Sequence, residues 1–316
     1  MHYWIAVDIG GTMLRAACFQ GASHDPLAIQ KLPSRYNSQT ALEQVKELIC
    51  SIWPVGGQVA GIGVSAPGPV DPLTGTVIRA PSIPDWVNFP LQEFMTEAFH
   101  TPAFVGNDAN LAALGEWKHG AGKGVDDLIY LTISTGIGGG IIVNGKILLG
   151  KQGLAGELGH TTIILDGPLC SCGRRGHLEA LASGPSIARW VAAEIETGAA
   201  SILPKGSALT SRQVAEAAQS GDRLAMTAFE RAGTYLGQAI ANFVNIFNPA
   251  MVILGGGVSQ SGELLLAPIR SVLDQQVYSH HFLDTLKVTT AALGDNSGLL
   301  GALELVKTKS TRQIFG

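Results

Sequence analysis

Apolar and polar positions along the chain predict two similar α/β halves. Residues 3–9 form a short apolar run that ends in Gly-Gly-Thr, which predicts a buried strand entering a tight turn. The alternating segment 14–20 predicts the second strand of a hairpin, and residues 127–148 repeat the order of strand, glycine turn and strand. Two such halves indicate an internally duplicated protein of two lobes, with a ligand site expected in a cleft between them.

Helical spacing of apolar residues predicts helices over 39–53 and at two places within 213–247. Further buried strands are predicted in 59–71 and 248–259, and 102–120 predicts a strand, a polar turn and a helix capped by Asn107 or Asp108. The last helix, 297–309, is expected to pack back on the first half. We therefore expect a small lobe of 1–117 plus 298–316 and a large lobe of 118–297.

Composition and charge narrow the class of protein. The chain has 316 residues and a formal charge of −4, with 15% charged residues. A weakly acidic chain disfavours nucleic acids and anionic membranes as partners. The sequence has no apolar run of the ~20 residues that a membrane span needs, and its start lacks the pattern of a signal peptide. Four cysteines do not make a secreted disulfide framework, so the cytoplasm is the expected location.

Many of the 40 glycines stand where backbone would approach a ligand. Three loops follow predicted strands. Backbone N–H groups and hydroxyls in the first two suit phosphate, and the backbone of the third can lie against a base or ribose. The candidate nucleotide residues are Asp8, Gly10, Gly11, Thr12, Thr135, Gly136, Gly138, Gly255, Gly256 and Gly257. An ordinary hairpin turn is the alternative for the first loop, and the presence of two further loops counts against it. Neither the P-loop string nor the complete Rossmann fingerprint occurs. Gly61, Gly63 and Gly68 are expected to flank the ligand site.

A second pattern points to metal. His160, Cys170, Cys172 and His177 offer two thiolates and two imidazoles, a set suited to a tetrahedral structural Zn²⁺ site. The alternative is two reduced core cysteines beside two unrelated histidines. The remaining histidines show no ligand spacing and are expected to be solvated or to cap helices; they are His2, His24, His100, His119, His280 and His281.

The strings DIGGT, GVSAPGPVD, GNDANLAALGEW, STGIGGGI, GELGH, CSCGRRGHLEA and NPAMVILGGG follow one another over nearly the whole chain. In this combination the chain resembles the ROK family of sugar kinases and repressors. The resemblance implies an actin-like ATPase (ribonuclease H-like) fold of duplicated mixed sheets with flanking helices. It also implies ATP with Mg²⁺, a structural Zn²⁺, a sugar substrate, and a homodimer or homotetramer.

The resemblance also assigns roles. It implies Asp108 as the catalytic base, Asn107, Glu157, His160 and Glu179 as sugar contacts, and His160, Cys170 and Cys172 as zinc ligands. Gly68 and Ser82 are expected near the sugar. The chain departs from the common pattern at His177, where the family often has Cys, at Ser82, where many family glucokinases have Asn, and at Met13, where a polar residue often follows Gly-Gly-Thr.

The expected reaction is ATP-dependent phosphorylation of a hexose, first of all glucose to glucose 6-phosphate. Alternatives are a kinase for N-acetylmannosamine, N-acetylglucosamine, mannose, fructose or another polyol, and a donor other than ATP, such as polyphosphate. A repressor of the same family would carry an N-terminal helix-turn-helix, for which a first strand at about Tyr3 leaves no room. A sugar-binding protein without catalysis is the third possibility.

Overall fold

A computed structural model describes residues 2–34 and 40–315, with side chains as far as residue 310. The chain divides into two compact units: unit 1 comprises Met1–Gly124, Ile147–Gly156 and Asp295–Gly316, and unit 2 comprises Val125–Lys146 and Glu157–Gly294. The lobe boundaries expected from the sequence stay a prediction. None of the helices in the described part of the chain combines the length and apolar character that crossing a membrane requires.

Strands and helices alternate along the chain. The strands are β1 (His2–Ile9), β2 (Met13–Gln20), β3 (Ala28–Pro33), β4 (Gln58–Ala66), β5 (Val77–Arg79), β6 (Val87–Phe89), β7 (Ala103–Asn107), β8 (Leu128–Ile133), β9 (Ile137–Val143), β10 (Lys146–Ile147), β11 (Met251–Gly255) and β12 (Lys287–Thr290). The α-helices are α1 (Ala41–Ser51), α2 (Leu91–Phe99), α3 (Asp108–His119), α4 (Leu178–Ala182), α5 (Gly184–Glu196), α6 (Ser211–Gln219), α7 (Arg223–Phe247), α8 (Glu263–Gln276) and α9 (Ser297–Phe315).

The two main sheets share one topology. The sheet of unit 1 has the order β3-β2-β1-β4-β7, and that of unit 2 has the order β10-β9-β8-β11-β12. In each, the central strand pairs antiparallel with the strand that follows it and parallel with the strand on its other side. A second parallel pair completes each sheet. The predicted duplication and both glycine hairpins are therefore confirmed.

Alternation along β1 explains how the sheet of unit 1 is covered on both faces. Ile5, Val7 and Ile9 belong to the core that contains α1 and α2, whereas Ala6 belongs to a second cluster with residues of α9. Helix α9 also packs on α3 and β4, as the sequence predicts for the last helix. Ile5, Val7 and Ile9 therefore face α1 and α2, and Trp4 and Ala6 face the cluster that contains α9.

Gly61 and Gly63 serve this packing, a role that the sequence did not indicate, and the expectation that they flank a ligand site stays a prediction. A Cβ at Gly63 would overlap the carbonyl oxygen of Ala302, and one at Gly61 would meet Val306 at 2.6 Å. Both contacts are with α9, which can approach β4 closely because neither strand residue has a side chain.

Helix ends follow their sequence signals. Thr40 and Glu43 form a reciprocal capping box at the start of α1, and residue 39 of the predicted helix lies outside the described residues. Asp222 is the N-cap of α7, because its side chain accepts a hydrogen bond from the Ala225 amide. The predicted apolar face of α7 is buried from Phe229 to Phe243, and Phe247 is half-buried.

Candidate functional site

The first glycine loop is a tight hairpin turn with an accessible tip. The Gly10 amide donates to the Met13 carbonyl at 3.0 Å, and a Cβ at Gly10 would lie 2.7 Å from that oxygen. Gly11 and Thr12 are exposed. An added Cβ at Gly11 would lie 3.2 Å from Cβ of Ser82, whose hydroxyl oxygen is buried and has no hydrogen-bond partner among residues 2–34 and 40–315. The turn thus presents backbone and hydroxyl groups beside the predicted sugar residue Ser82.

Asp8 occupies the end of β1 below this turn. Its Oδ1 accepts from the Ser65 hydroxyl at 2.8 Å, and its Oδ2 lies 3.3 Å from Nη1 of Arg15, which also pairs with Asp295. Burial raises the pKa of Asp8, against the opposing effects of Ser65 and Arg15. A single buried carboxylate fits Mg²⁺, a hard cation that keeps most of its water shell. Because both oxygens already have protein partners, an interaction through metal-bound water suits Asp8 better than direct coordination.

Asn107 ends β7 and Asp108 begins α3, and the two residues have different roles at this junction. Asn107 is the N-cap, because its Oδ1 accepts from the Asn110 amide at 3.0 Å. Its Nδ2 donates to the Gly68 carbonyl and to Oδ1 of Asp108, each at 3.0 Å. The Ala109 amide donates to the same oxygen of Asp108 at 2.8 Å. The cap is therefore supplied by Asn107, and the half-buried Asp108 carboxylate is held in place by two donors.

Gly68 is fixed by the backbone around it. Its φ of +82° is in the region that favours glycine, and an added Cβ would overlap the carbonyl oxygen of Arg79. Since its own carbonyl accepts from Asn107, Gly68 positions the predicted sugar residues of unit 1 through the backbone.

The second glycine loop lies against Glu179 in unit 2. The Ser134 amide donates to the Gly136 carbonyl at 2.9 Å, and the Ile137 amide donates to Oε2 of Glu179 at 3.1 Å. A Cβ at Gly136 would lie 2.6 Å from that carboxylate oxygen. Thr135 is exposed at the tip, whereas Gly138 is a half-buried member of β9 opposite Thr132. The loop and the carboxylate therefore hold each other.

The third glycine loop divides by role. Gly255 carries no side chain because Tyr130 fills the space, and Gly256 has a φ of +81° and abuts the Ile133 carbonyl. Only around Gly257, among these three, would an added Cβ meet nothing within 4 Å. Protein packing thus accounts for two of the glycines, and the open space lies at the third.

The predicted metal ligands converge. One ligand atom from each of His160, Cys170, Cys172 and His177 lies within 4.8 Å of all the others. Cys170 Sγ is 3.6 Å from Nδ1 of His160, and Cys172 Sγ is 3.3 Å from Nδ1 of His177. Tetrahedral Zn²⁺ with ordinary bond lengths sets a sulfur and a nitrogen about 3.5 Å apart. Both the donor types and the spacing fit zinc.

His177 takes the position where the family often has Cys. Its side chain is 5% exposed, and it precedes α4 without capping that helix. Burial lowers the pKa of His177, and the nearby His160 and Arg174 lower it further. These surroundings favour the neutral imidazole, which is the form that binds a metal.

Glu179 links the metal cluster to the second glycine loop. Its Oε1 accepts from the Ser171 hydroxyl at 2.5 Å and lies 3.5 Å from Cys170 Sγ, while Oε2 faces the loop. Glu157 is exposed as a residue, yet enough protein surrounds its carboxyl that desolvation raises its pKa. His160 opposes this rise, and Glu179 adds to it. The three predicted sugar residues of unit 2 therefore influence one another.

A cavity of about 590 Å³ in unit 2 joins several of these groups. Thr135, Cys170 and Glu179 line it, and so do Arg189 and Arg231, which the sequence interpretation missed. Arg231 lies over the ring of Trp190, with its guanidinium carbon 5.4 Å from the ring centroid. These arginines lie in the helical segments of the chain, where no glycine motif or ligand spacing marks them.

The predicted residues form two groups, one in each unit. Unit 1 contains Asp8, Gly10, Gly11, Thr12, Gly68, Ser82, Asn107 and Asp108. Unit 2 contains Thr135, Gly136, Gly138, Glu157, His160, Cys170, Cys172, His177, Glu179, Gly255, Gly256 and Gly257. Ser65, Arg15 and Ser171, which hold Asp8 and Glu179, were missed because nothing in their local sequence announces these pairings.

Comparisons with known proteins agree with the family resemblance of the sequence motifs. The model of the ROK family matches residues 4–309. A glucokinase from Thermotoga maritima is 35% identical over 314 residues, covering 96% of this chain and 97% of the relative. A xylose repressor from Caldicellulosiruptor bescii is 36% identical over 251 residues, covering 78% of this chain and 62% of the repressor.

A solved structure gives the same result. A ROK family glucokinase from Streptomyces griseus, in complex with glucose and AMPPNP, superposes with a TM-score of 0.84 at 34% identity, covering 97% of this chain and 99% of that one. The described α/β topology is therefore that of the actin-like ATPase fold expected from the sequence.

Proposed function

Because the chain belongs to the ROK family, we propose that it is an ATP-dependent hexose kinase with glucose as the first candidate acceptor. The similarity to glucokinases over nearly the full length of both chains supports this reaction. Similarity to a repressor covers a smaller share of the partner sequence and supports a common sugar-binding scaffold.

The observation that best supports the proposal is that Asn107 and Asp108 have different roles at the start of α3. Asn107 caps the helix, so the neighbouring carboxylate is not needed for that task. Asp108 is instead oriented by the Asn107 amide group and the Ala109 amide at its Oδ1. A carboxylate held by fixed donors at a helix start is suited to accept a proton from a bound hydroxyl.

In the proposed reaction, Asp108 accepts the proton of the acceptor hydroxyl while that oxygen bonds to the γ-phosphorus of ATP. The bond from the γ-phosphorus to the bridging oxygen of ADP breaks, so the products are a sugar phosphate, ADP and a proton. Mg²⁺, when bound, neutralises charge on the phosphates, and Asp8 is the residue of unit 1 suited to hold it. Gly10, Gly11 and Thr12 would orient phosphate oxygens through N–H and O–H donors.

The sugar would be oriented by groups that accept from or donate to vicinal hydroxyls. Glu157 and Glu179 supply carboxylate oxygens, and Asn107 supplies an amide. His160 turns Nδ1 toward Cys170, so a zinc ion on Nδ1 leaves the proton on Nε2, where it can be donated to a hydroxyl. Orientation of this kind contributes several kcal/mol to phosphoryl transfer.

The proposal also includes zinc, bound as a structural ion. His160, Cys170, Cys172 and His177 would complete its coordination and leave no position for water. Because Glu179 accepts from Ser171 between the two cysteines, a fixed metal loop also fixes this carboxylate. We expect about one zinc per chain in freshly purified protein, measured by mass spectrometry of the metal. Less than about half an equivalent would contradict the site.

The substrate is tested by a panel of hexoses, amino sugars and polyols with ATP and Mg²⁺, followed by ADP release. We expect glucose to give the highest kcat/KM. A higher value for N-acetylmannosamine, N-acetylglucosamine, mannose, fructose or another polyol would reassign the acceptor. Polyphosphate in place of ATP tests the donor. Sugar binding by calorimetry without any turnover would favour the sugar-sensor alternative.

The role of Asp108 is tested by Asp108→Asn. We expect kcat to fall by about 10²–10⁴-fold, because the amide cannot accept the proton, while glucose binding measured by calorimetry changes far less. Asp284→Asn is the matched control, since Asp284 is exposed and pairs only with His281 at the surface among the bonds described. Turnover of Asp108→Asn within a few-fold of the parent would refute the base assignment.

The cytoplasmic location and the homodimer or homotetramer expected from the sequence stay predictions. Size-exclusion chromatography with light scattering measures the subunit count directly.

A further inference from the structure

Two histidines that the sequence does not connect meet in unit 1. His24 lies in the connection between β2 and β3, and His119 is the last residue of α3. Their ring centroids are 4.1 Å apart. Glu304 of α9 joins them, with its Oε1 3.0 Å from Nε2 of His119. The expectation of a solvated side chain holds for His24, which is exposed, whereas His119 is largely shielded and pairs with Glu304.

We infer that His24, His119 and Glu304 form a second metal site, which takes a borderline divalent ion such as Zn²⁺, Ni²⁺ or Co²⁺. One ligand atom from each residue lies within 4.8 Å of the others. Two imidazoles and a carboxylate are a donor set that these ions prefer, whereas Mg²⁺ prefers oxygen alone. Three protein ligands leave at least one position for water, unlike the four-ligand set around Cys170.

Two of the three side chains are largely shielded from solvent, and the third is exposed. The side chains of His119 and Glu304 are 14% and 17% exposed, so this pair is shielded and already near the spacing of co-ligands. Ligands at ordinary Zn–N and Zn–O lengths lie about 3.3 Å apart in a tetrahedron. His24 is exposed, and one of its ring nitrogens lies within 4.8 Å of the ligand atoms of His119 and Glu304.

The loop that carries His24 is held by hydrogen bonds from a residue of β1 and a residue of α9. The Trp4 indole donates to the Gly21 carbonyl at 3.1 Å. Lys307 of α9 donates to the carbonyls of Ala22 and Ser23 at 3.3 and 3.1 Å. Lys307 is the cation nearest to this loop among the described contacts, and these carbonyls hold its amine. An ion would therefore bind to a loop that is already attached to the helix supplying Glu304.

The proposed site is separate from the catalytic groups. Asp108 begins α3 and His119 ends it, a distance of roughly 16 Å at 1.5 Å per residue. The ion would join the β2–β3 connection, the end of α3 and α9, three segments far apart in the chain. Its expected effect is to stabilise unit 1, since an ion that binds the folded form alone shifts unfolding toward higher temperature.

The test uses the full chain purified with its zinc and stripped of loosely held metal on a chelating resin. Equilibrium dialysis against Ni²⁺ should give one further ion per chain and a rise in Tm. His24→Gln and Glu304→Gln should each weaken this binding by at least about 10-fold, the lower end of what even indirect metal-site changes cost. His281→Gln is the control, because His281 is an exposed histidine paired with Asp284.

Cobalt distinguishes the two sites in the same protein. Co²⁺ bound by His24, His119 and Glu304 gives ligand-field bands without thiolate charge transfer, whereas Co²⁺ at the cysteines adds strong thiolate bands. The proposal is overturned if His24→Gln and Glu304→Gln bind Ni²⁺ as the parent does, or if every bound Co²⁺ shows thiolate bands. Affinity weaker than about 1 mM in the parent would also overturn it. Since His24 is exposed, its variant remains informative even if Glu304→Gln fails to fold.

Discussion

Asp222 stabilises unit 2 from the start of its longest helix. The residue is 6% exposed, and its carboxylate accepts hydrogen bonds from the Ser201 hydroxyl at 2.7 Å, the Ile202 amide at 2.6 Å and the Ala225 amide at 2.9 Å, and also from the Leu224 amide. Helix α7 in turn packs against α4, α5, α6 and α8. A change at Asp222 therefore acts on the helix that most of unit 2 surrounds.

We predict that Asp222→Asn lowers the free energy of unfolding by about 2–4 kcal/mol. The new amide has one oxygen instead of two, so either Ile202 or Ala225 is left with its N–H facing an NH₂ group. Losing a hydrogen bond to a charged group costs about 1.5–3 kcal/mol, and an unsatisfied buried donor about 1–3 kcal/mol, with partial overlap between the two. The lost attraction to the helix dipole adds about 0.3–1 kcal/mol.

The pH dependence gives the prediction a second test. Burial by itself would raise the pKa of Asp222, but the bonds from Ala225, Ile202 and Ser201 outweigh it and hold the pKa below its ordinary value. A carboxyl whose pKa is lower in the folded state stabilises the protein above the unfolded pKa and loses that contribution as pH falls through the folded pKa. The difference in the free energy of unfolding between parent and variant should thus be constant at neutral pH and become smaller in acid.

Urea unfolding followed by circular dichroism, with hydrogen exchange of residues 223–247, measures both effects. Asp274→Asn is the control, because Asp274 is exposed and pairs with an exposed His280 at 3.4 Å. A loss below about 0.5 kcal/mol, the size of an ordinary surface change, would refute the reasoning. So would a gap between parent and variant that stays undiminished in acid.

Three further changes test the packing, the nucleotide loop and the metal ligands. Gly63→Ala should destabilise unit 1 by about 1–3 kcal/mol in thermal unfolding, because its Cβ would overlap a carbonyl of α9; an unchanged Tm would contradict this contact. Gly257→Ala should leave Tm unchanged, since an added Cβ meets nothing within 4 Å, yet raise the KM for ATP if nucleotide lies there as proposed; an unchanged KM would remove Gly257 from the nucleotide site. His177→Cys should retain zinc and His177→Ala should lose most of it by metal analysis; equal zinc in both variants would exclude His177 as a ligand.

Local patterns predicted the elements of this protein well. Apolar runs ending in glycine marked both hairpins, because strand burial and a tight turn each depend on neighbouring residues. The order GNDAN marked the start of α3, although the sequence left the choice of cap open between Asn107 and Asp108. The structure assigns the cap to Asn107 because its Oδ1 reaches the Asn110 amide.

Long-range pairings were not predictable in the same way. The sequence predicted that Gly63 lies in a strand and flanks a ligand site, but it could not show that this glycine packs against a helix that follows more than 200 residues later. His24 and His119 have no common motif, and only the packing of α3 beside α9 places Glu304 with them. The four residues of the proposed zinc site could be picked out because a short segment contains three of them, Cys170, Cys172 and His177. Spacing reveals a site only when the chain itself brings most of its ligands together.

The division of unit 1 also has a consequence for synthesis on the ribosome. Its strands β1 and β4 are made early, but α9, which covers one face of them, follows β4 by about 230 residues. At 5–20 residues per second, that face of the sheet stays uncovered for about 10–50 s while the whole of unit 2 is synthesised. Unit 2 can finish folding first, although it is translated second, because both of its segments precede Asp295–Gly316, the last of the three segments of unit 1. The nascent chain would then expose Ala6, Gly61 and Gly63 as a surface for chaperones until its last helix is released.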